Sequence, residues 1–339
     1  MQLNEIWFLI VGFLFIGYFV LDGFDFGVGM ALPFLGKDDT DRRVLINSIG
    51  PVWDLNETWV IVAGASLFAA FPEWYASLFS GFYLPLLLIL AALIARGVAF
   101  EYRGKGHTIG ADETKWKSRF DWMIVIGSAL PALLWGVAFA NIVQGVPLNE
   151  KHVFTGNLFT LLNPYGLLGG LVTLTLFFTH GLVFITLKTD GDIKDRARAL
   201  ATKVGIISTA LAAVFLVWTL FAHFSVLGLL LTAIAALSLI AALFANHAKR
   251  EGISFSLLVL TIITAVGALF AALFPNVFPS TTDPAFSLTI ENASSSQYTL
   301  TVMSWVAVVM IPLVLLYQGW TYWVFRKRVS RKSIPAGSH

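Results

Sequence analysis

The chain has 339 residues, of which 57% are hydrophobic and only 12% are charged. Charged residues make up about a quarter of an ordinary soluble domain, so this composition excludes a soluble cytoplasmic enzyme and indicates a polytopic membrane protein. The formal charge of +2 comes with no dense basic stripe, and we expect no nucleic-acid partner. A sequence without cysteine excludes disulfides, thiolate metal sites and thiol nucleophiles.

Apolar segments long enough to cross a bilayer follow one another along the chain, since about 20 helical residues suffice for a span. The first segment has Glu5 and no Lys or Arg at its flank and is longer than a signal-peptide core, so we expect it to remain in the mature chain. The nine predicted helices cover about residues 5–34, 50–70, 74–101, 120–145, 163–187, 199–222, 225–246, 253–275 and 298–325. They predict an all-α membrane domain over residues 1–329 and a cytoplasmic tail over residues 330–339.

The cationic residues are divided unequally between the two sides that nine spans would create. The loops after the odd-numbered segments, together with the tail, hold 21 of the 22 Lys and Arg residues, and Lys151 alone lies on the other side. Lys and Arg favour the cytoplasmic side of a membrane protein. The split therefore predicts an N-terminus outside and a C-terminus in the cytoplasm.

Four acidic residues lie within predicted helices and not in loops. Asp22 and Asp25 come late in the first helix, and Asp54 and Glu57 come early in the second. Because the first helix runs inward and the second outward, all four fall in the cytoplasmic leaflet, and the three-residue spacing puts each pair on one helix face. A carboxylate can cost up to about 2.5 to 3.5 kcal/mol at the bilayer centre, so four of them indicate a function.

Carboxyl groups held away from bulk water can exchange protons near neutral pH, so the first interpretation is a proton relay. The alternative, that they reach lipid headgroups or cap the second helix, stays open, above all for Asp22. Arg96, late in the third helix, reaches the same leaflet and is the natural counter-ion, with Asp25 as a candidate partner. Trp53 and Trp59 flank the second acid pair and either shape a site or belong to the aromatic belt.

The residues themselves point to no cofactor or metal site. His180 is the one histidine well inside a predicted helix, and with no second histidine at matching depth a packed or hydrogen-bonded role is favoured over haem ligation. Two other functions remain open at this point: a proton-coupled secondary transporter, and a scaffold whose acids are structural. A transporter commonly shows inverted repeats and broken helices in corresponding halves, and we see neither clearly.

The acid-bearing segments belong to a series of sequence blocks that runs along nearly the whole chain. The blocks are Leu21–Gly29 (LDGFDFGVG), Ile49–Trp59 (IGPVWDLNETW), Arg96–Arg103 (RGVAFEYR), Gly136–Pro147 (GVAFANIVQGVP), Asn163–Gly169 (NPYGLLG) and Asn292–Ser296 (NASSS). In this order and spacing they resemble subunit II of the cytochrome bd quinol oxidases. Leu55 and Ala140 stand where that family often has glycine, which affects local helix contacts only.

The resemblance implies a subunit of a membrane complex that oxidises quinol and reduces O2 to water, located in a prokaryotic cytoplasmic membrane. In that family haem b and haem d belong to subunit I, so this chain is expected to be its haem-free partner. A small single-helix subunit and a structural quinone occur in some members, in addition to quinol and lipid. Each large subunit of the family consists of two four-helix bundles plus a peripheral ninth helix, which fits the nine predicted helices.

The resemblance also implies how the acids are used. The family takes the protons for O2 reduction from the cytoplasm, and Asp54 resembles its carrier for proton entry at the interface with subunit I. We expect the neighbouring acids Glu57, Asp22 and Asp25 to belong to the same proton pathway.

Other matching positions concern the haem region. Asp25 and Arg96 resemble residues that act electrostatically across the subunit interface, and we expect Trp53 to lie at that interface. Trp59 matches a residue that lines an O2 path in some members, and its use here stays open. No residue of this chain can be named for the structural quinone.

Overall fold

The computed structural model describes residues 2–334, apart from the side chains of residues 108 and 109, and it is mostly helical. The part of the predicted tail beyond residue 334 lies outside this description. The helices are α1 (Leu3–Leu35), α2 (Asp39–Ile49), α3 (Trp53–Ala70), α4 (Pro72–Gly81), α5 (Tyr83–Tyr102), α6 (Glu113–Gln144), α7 (Leu158–Leu161), α8 (Pro164–Lys188), α9 (Gly191–Ala222), α10 (Val226–His247), α11 (Glu251–Leu273) and α12 (Gln297–Val324). Two short strands, β1 (Asn276–Phe278) and β2 (Leu288–Thr289), pair antiparallel.

Eight helical segments in the described part of the chain are long and apolar enough to cross a membrane: α1, α5 with the turn that follows it, α6, and α8 to α12. The multi-pass membrane character is thereby confirmed. Helix α3, which matches the predicted second span, has 18 residues but is less apolar, because Asp54, Asn56 and Glu57 lie in its first turns. The nine-span layout and the orientation of the termini stay predictions.

The predicted third span, residues 74–101, is not one helix. The chain forms α4 and α5 instead, separated at Phe82. Pro85 has no N–H for the carbonyl of Gly81 four residues earlier, which explains a break at this point. The charged helix α2 was not predicted, because a search for apolar segments cannot detect a helix that lies outside the membrane.

Helix α1 occupies the centre of the molecule and contacts α3, α6, α8 and α11. Its close contact with α8 depends on glycine: a Cβ at Gly27 would lie 2.1 Å from the carbonyl oxygen of Phe177 and 2.6 Å from the Cα of Gly181. Small residues allow two membrane helices to approach this closely. Helix α6 packs against both α5 and α8, and α10 packs against α11; the arrangement into two four-helix bundles stays a prediction.

The last long helix, α12, lies at the edge of the molecule. Of its residues only Leu300, Gln318 and Thr321 are buried. It touches α1 and α3, and the segment that follows it contacts the turn between α8 and α9, where Val329 N–H donates to the Lys188 carbonyl at 2.7 Å. Two of its three buried side chains are polar, which sets this helix apart from an apolar anchor.

Candidate functional site: a buried acid cluster

Three of the four acidic residues predicted in the first two spans, Asp22, Asp25 and Glu57, come together with residues of two further helices. Helix α1 packs against α3 and touches α12, and Arg96 of α5 reaches Asp22. The group, which we call the acid cluster, consists of Asp22, Asp25, Asn56, Glu57, Arg96, Gln318 and Tyr322. Sequence reasoning identified four of these seven residues and missed Asn56, Gln318 and Tyr322.

Arg96 is the only cation of the cluster and is fully buried. Its Nη2 lies 2.7 Å from Oδ1 of Asp22 and 3.0 Å from Oε2 of Glu57, and its guanidinium carbon lies 4.5 Å from the ring centroid of Phe26. A Cβ at Gly127 of α6 would come within 2.9 Å of the Cβ of Arg96, so this glycine lets α6 close over the arginine. A buried charge is tolerated only when it is paired, and here the pairing joins α5 to α1 and α3.

Asp25 is also fully buried, but it is not the ion-pair partner of Arg96. That expectation was wrong in its detail: Asp22 and Glu57 take the guanidinium, and Oδ2 of Asp25 accepts from Nδ2 of Asn56 at 2.7 Å. The complete burial of Asp22 also excludes the alternative in which it reaches lipid headgroups. Which helix face meets which partner could not be read from the spacing of the residues.

Asn56 connects the cluster to α12. Its Oδ1 accepts from Nε2 of Gln318 at 2.9 Å and from the hydroxyl of Tyr322 at 2.7 Å. The indole Nε1 of Trp59 lies 3.5 Å from Oε1 of Gln318, at the outer limit of a hydrogen bond. A sequence signal existed, since Gln318 is a polar residue in an otherwise apolar helix, where such residues hydrogen-bond across helices.

The second acid pair spans the boundary between the cluster and its surface. The Glu57 side chain retains 18% exposure while it contacts Arg96, and Asp54, one turn earlier on α3, is exposed. Asp54 has no ion pair or hydrogen bond with the described residues, and neither acid caps the start of α3. The carboxyl groups of Asp54, Glu57 and Asp22 are therefore exposed, half-buried and fully buried, in that order.

Several polar atoms of the cluster have no hydrogen-bond partner within residues 2–334. They are Oδ2 of Asp22, Oδ1 of Asp25, and Nε and Nη1 of Arg96. Buried polar atoms are nearly always paired with protein or ordered water, so such atoms mark places where water or a transferred proton would be held.

The two tryptophans beside the acids both pack between helices. Trp53 is half-buried, with its ring centroid 5.0 Å from that of Phe100 on α5. Trp59 is buried against α1, where a Cβ at Gly17 would lie 2.2 Å from its ring. Trp59 takes part in the network around Asn56, whereas Trp53 has no hydrogen bond into it among the described residues.

The histidine that the sequence placed well inside a helix, His180, is packed and hydrogen-bonded. The ring of His180 is fully buried and stacked on Phe255 at a centroid distance of 4.8 Å, and its Nε2 lies 3.1 Å from the carbonyl oxygen of Val20. Within residues 2–334 no three His, Asp or Glu side chains group as a metal site would require. His180 thus has the packed and hydrogen-bonded role that its isolation in the sequence favoured.

Two cavities lie elsewhere in the fold, and the sequence predicted neither. One of about 210 Å³ between α6 and α8 to α11 has an apolar wall that includes Phe139, Phe177 and Leu269. The other, of about 600 Å³, lies at the end predicted to face the cytoplasm and is bordered by Tyr322 and by basic residues such as Lys188. Both depend on how side chains from distant segments pack, which a pattern within one segment does not specify.

A second set of charges lies at the end of the molecule predicted to face the cytoplasm. Asp121 of α6 accepts from Nε of Arg103 at 2.6 Å and lies 2.9 Å from Nη1 of Arg42. Arg331 contacts Asp41, and its Nη2 lies 2.7 Å from Oδ2 of Asp38. The hydrogen bond from Arg331 lowers the pKa of Asp38. These pairs tie the loops and the tail together.

Comparison with known proteins identifies the family. Residues 3–325 match the family described as cytochrome bd terminal oxidase subunit II. Cytochrome bd ubiquinol oxidase subunit 2 of Bacillus subtilis is 42% identical over 336 residues, 98% of each chain, and cytochrome bd-I ubiquinol oxidase subunit 2 of Escherichia coli K12 is 40% identical over 375 residues, 99% of this chain and 98% of that protein. The bd oxidase structure from Geobacillus thermodenitrificans matches 96% of this chain and 100% of that chain with a TM-score of 0.78 at 18% identity, which supports the fold alone. The chain therefore belongs to the cytochrome bd terminal oxidase subunit II family.

Proposed function

We propose that this chain is the haem-free subunit of a quinol:O2 oxidoreductase and conducts protons from the cytoplasm toward a haem-bearing subunit I. Family membership over nearly the whole length supports the oxidase assignment. One observation carries the proton role: a buried cluster of carboxyl groups around one arginine, with an exposed carboxylate one helical turn outside it. The transporter alternative has no support from any relative.

The charge balance of the cluster favours proton exchange. Three carboxyl groups, those of Asp22, Asp25 and Glu57, surround the single guanidinium of Arg96, which stays protonated at any physiological pH. The buried group is electrically neutral only when two of the three acids carry a proton, and interacting acids of this kind titrate together. In this proposal Asp54 takes up the proton, Glu57 passes it inward, and Asp22 and Asp25 hold it.

The exposure of Asp54 agrees with entry at a subunit interface. A carboxylate that faces outward from a membrane helix is costly unless protein or water covers it. We therefore place subunit I against the α3 face that carries Asp54 and Trp53, with Asp25 and Arg96 acting on the haem region electrostatically across that interface. A small single-helix subunit and an O2 path beside Trp59 belong to the same proposal.

A structural quinone fits this chain only in part. The apolar cavity of about 210 Å³ suits a short stretch of an isoprenoid chain, since ligand pockets for whole molecules usually exceed about 300 Å³. Its wall gives a quinone head group almost no polar contact. We propose the bacterial cytoplasmic membrane as the location, with quinol and lipid as the small-molecule partners and the N-terminus outside.

The test is Asp54→Asn in the whole oxidase complex. We expect slower quinol oxidase turnover with the haem absorbance of the complex retained, because Asn keeps the shape of the side chain but cannot carry a proton. Glu73→Gln is the matched control, since Glu73 is an exposed acid at the start of α4, beyond the far end of α3. Turnover equal to that of the unmodified complex would reject the relay and leave the scaffold role.

A further inference from the structure

The amide of Asn56 has all of its hydrogen-bonding capacity in use. An amide oxygen has two lone pairs, and here they accept from Gln318 at 2.9 Å and Tyr322 at 2.7 Å. An amide nitrogen has two hydrogens, and here they face Oδ2 of Asp25 at 2.7 Å and the Leu21 carbonyl at 3.4 Å. Each contact matches one donor with one acceptor, so the side chain is held in one orientation.

The orientation is fixed from the outer side of the network. The indole N–H of Trp59 can only donate, and its neighbour is Oε1 of Gln318. This contact turns the Gln318 amide so that its NH2 group faces Asn56, which in turn directs the NH2 group of Asn56 toward Asp25. The hydroxyl of Tyr322, which can donate or accept, donates to the oxygen that this arrangement of Asn56 presents.

The network gives the two oxygens of Asp25 different roles. Oδ2 accepts the hydrogen bond from Asn56, whereas Oδ1 is buried and without a partner in the described chain. Within residues 2–334 Asn56 is the one side chain that donates to Asp25. A proton that arrives at Asp25 is therefore taken up at Oδ1.

We propose that Gln318 and Tyr322 of α12 are positioning residues for Asp25: through Asn56 they keep Oδ2 as an acceptor and leave Oδ1 as the oxygen that takes up and releases the proton. The proposal rests on the proton-conducting function proposed above and deepens it. It assigns the peripheral helix a part in the reaction beyond anchoring.

The position of α12 supports this role. The helix is exposed along most of its length, yet Gln318 is one of its three buried residues, and Tyr322 points from the rim of the 600 Å³ cavity to Asn56. Polar side chains on a membrane helix are costly unless they have partners, so their placement against Asn56, which in turn bonds Asp25, favours a specific role over a purely structural one.

The other charged or titratable groups near Asp25 are Asp22, Glu57, Arg96 and Tyr322. His180 of α8 bonds instead to the Val20 carbonyl. A donated hydrogen bond stabilises an ionised carboxylate, and its loss favours the protonated form. If the residues that hold the Asn56 amide are replaced, its hydrogen bond to Asp25 should weaken, and the pH profile of turnover should move to higher pH.

The experiment is the double variant Gln318→Met and Tyr322→Phe in the assembled oxidase, which removes both donors to Asn56 at nearly constant volume. Quinol oxidase turnover is measured as a function of pH, and the carboxyl stretching bands are recorded by redox-difference infrared spectroscopy. We expect the pH profile to move up by about one pH unit, the equivalent of one hydrogen bond to a charged group. The band that Asp25→Asn abolishes should also shift.

The control is Tyr317→Phe, which removes an exposed hydroxyl from the same helix without touching the network. An unchanged profile and band in the double variant, with Asp25→Asn slow, would overturn the positioning role and leave the proton pathway intact. Normal turnover in Asp25→Asn would instead reject Asp25 as a carrier, and the positioning role with it. If the double variant loses its haem absorbance, Tyr322→Phe alone decides: a smaller shift in the same direction supports the role, and no shift rejects it.

Discussion

Two groups of carboxylates and arginines occupy different parts of this molecule, and they differ in the number of cations that each acid has. In the charge group at the predicted cytoplasmic end, Asp121 meets both Arg42 and Arg103, and Asp41 meets both Arg196 and Arg331. Each of these acids is matched by more than one cation. In the acid cluster three carboxyl groups have a single cation among them, Arg96, and only Asp22 and Glu57 contact it.

The difference shows how the same side chains serve two purposes. An acid held by two arginines acts as a structural link between segments. In the proposed relay, an acid that has one cation among three carboxyl groups, and an unpartnered oxygen, changes its protonation state without breaking the fold. The predictions below test this contrast at three sites in order of expected effect.

The largest effect is expected from Arg96→Leu. The substitution leaves Asp22 and Glu57 buried without a cation, and removal of one partner of a buried ion pair destabilises a protein by about 3 to 5 kcal/mol. We expect loss of assembled oxidase, measured as haem absorbance per purified complex. Arg96→Lys, which keeps the charge, should restore part of it, and full haem content with normal activity in Arg96→Leu would contradict a structural need for the cation.

A smaller effect is expected from Asp121→Asn at the predicted cytoplasmic end. Asp121 is buried and bonded to Arg103 and Arg42, so the change should cost about 2 kcal/mol and lower the unfolding temperature of the complex. Turnover per assembled complex should stay unchanged, because Arg103 keeps Asp39 as a partner and the proposed proton route does not pass through this group. A variant with normal stability but altered turnover would erase the distinction between the two groups.

The sequence was sufficient for most of the long helices and for the acids but not for the partners of the acids. Asp22 and Arg96 were recognised because a charge in a 20-residue apolar segment stands out by composition alone. Their pairing depends on how α1 and α5 are placed by the helices around them, and the close contacts of Gly27 with α8 and of Gly127 with α5 are part of that packing.

The contribution of α12 was the part that sequence reasoning could not supply. Nearly 300 residues separate Gln318 and Tyr322 from Asp25, and a polar residue in a terminal helix has many uses. The short helix α2 and the break at Phe82 were missed for a related reason, because a long hydropathy window averages over ten-residue elements. A hydropathy window reports how favourably a segment transfers into lipid. Helix α2 and the break at Phe82 depend instead on local hydrogen bonding.

The smallest effect is expected from Arg331→Gln, which removes a surface cation from Asp38 and Asp41. Because the hydrogen bond from Arg331 lowers the pKa of Asp38 in the folded chain, its stabilisation is present at pH values above the ordinary pKa of aspartate. It is lost as the pH falls through the lowered folded-state pKa. We therefore expect a slightly lower unfolding temperature than the unmodified complex at pH 7, with the gap closing in acid and in high salt, as measured by thermal unfolding in detergent. A gap in unfolding temperature that persists unchanged at low pH would mean that Arg331 stabilises the tail by packing and not by charge. This end of the molecule would then differ from the buried cluster in not depending on charge pairs.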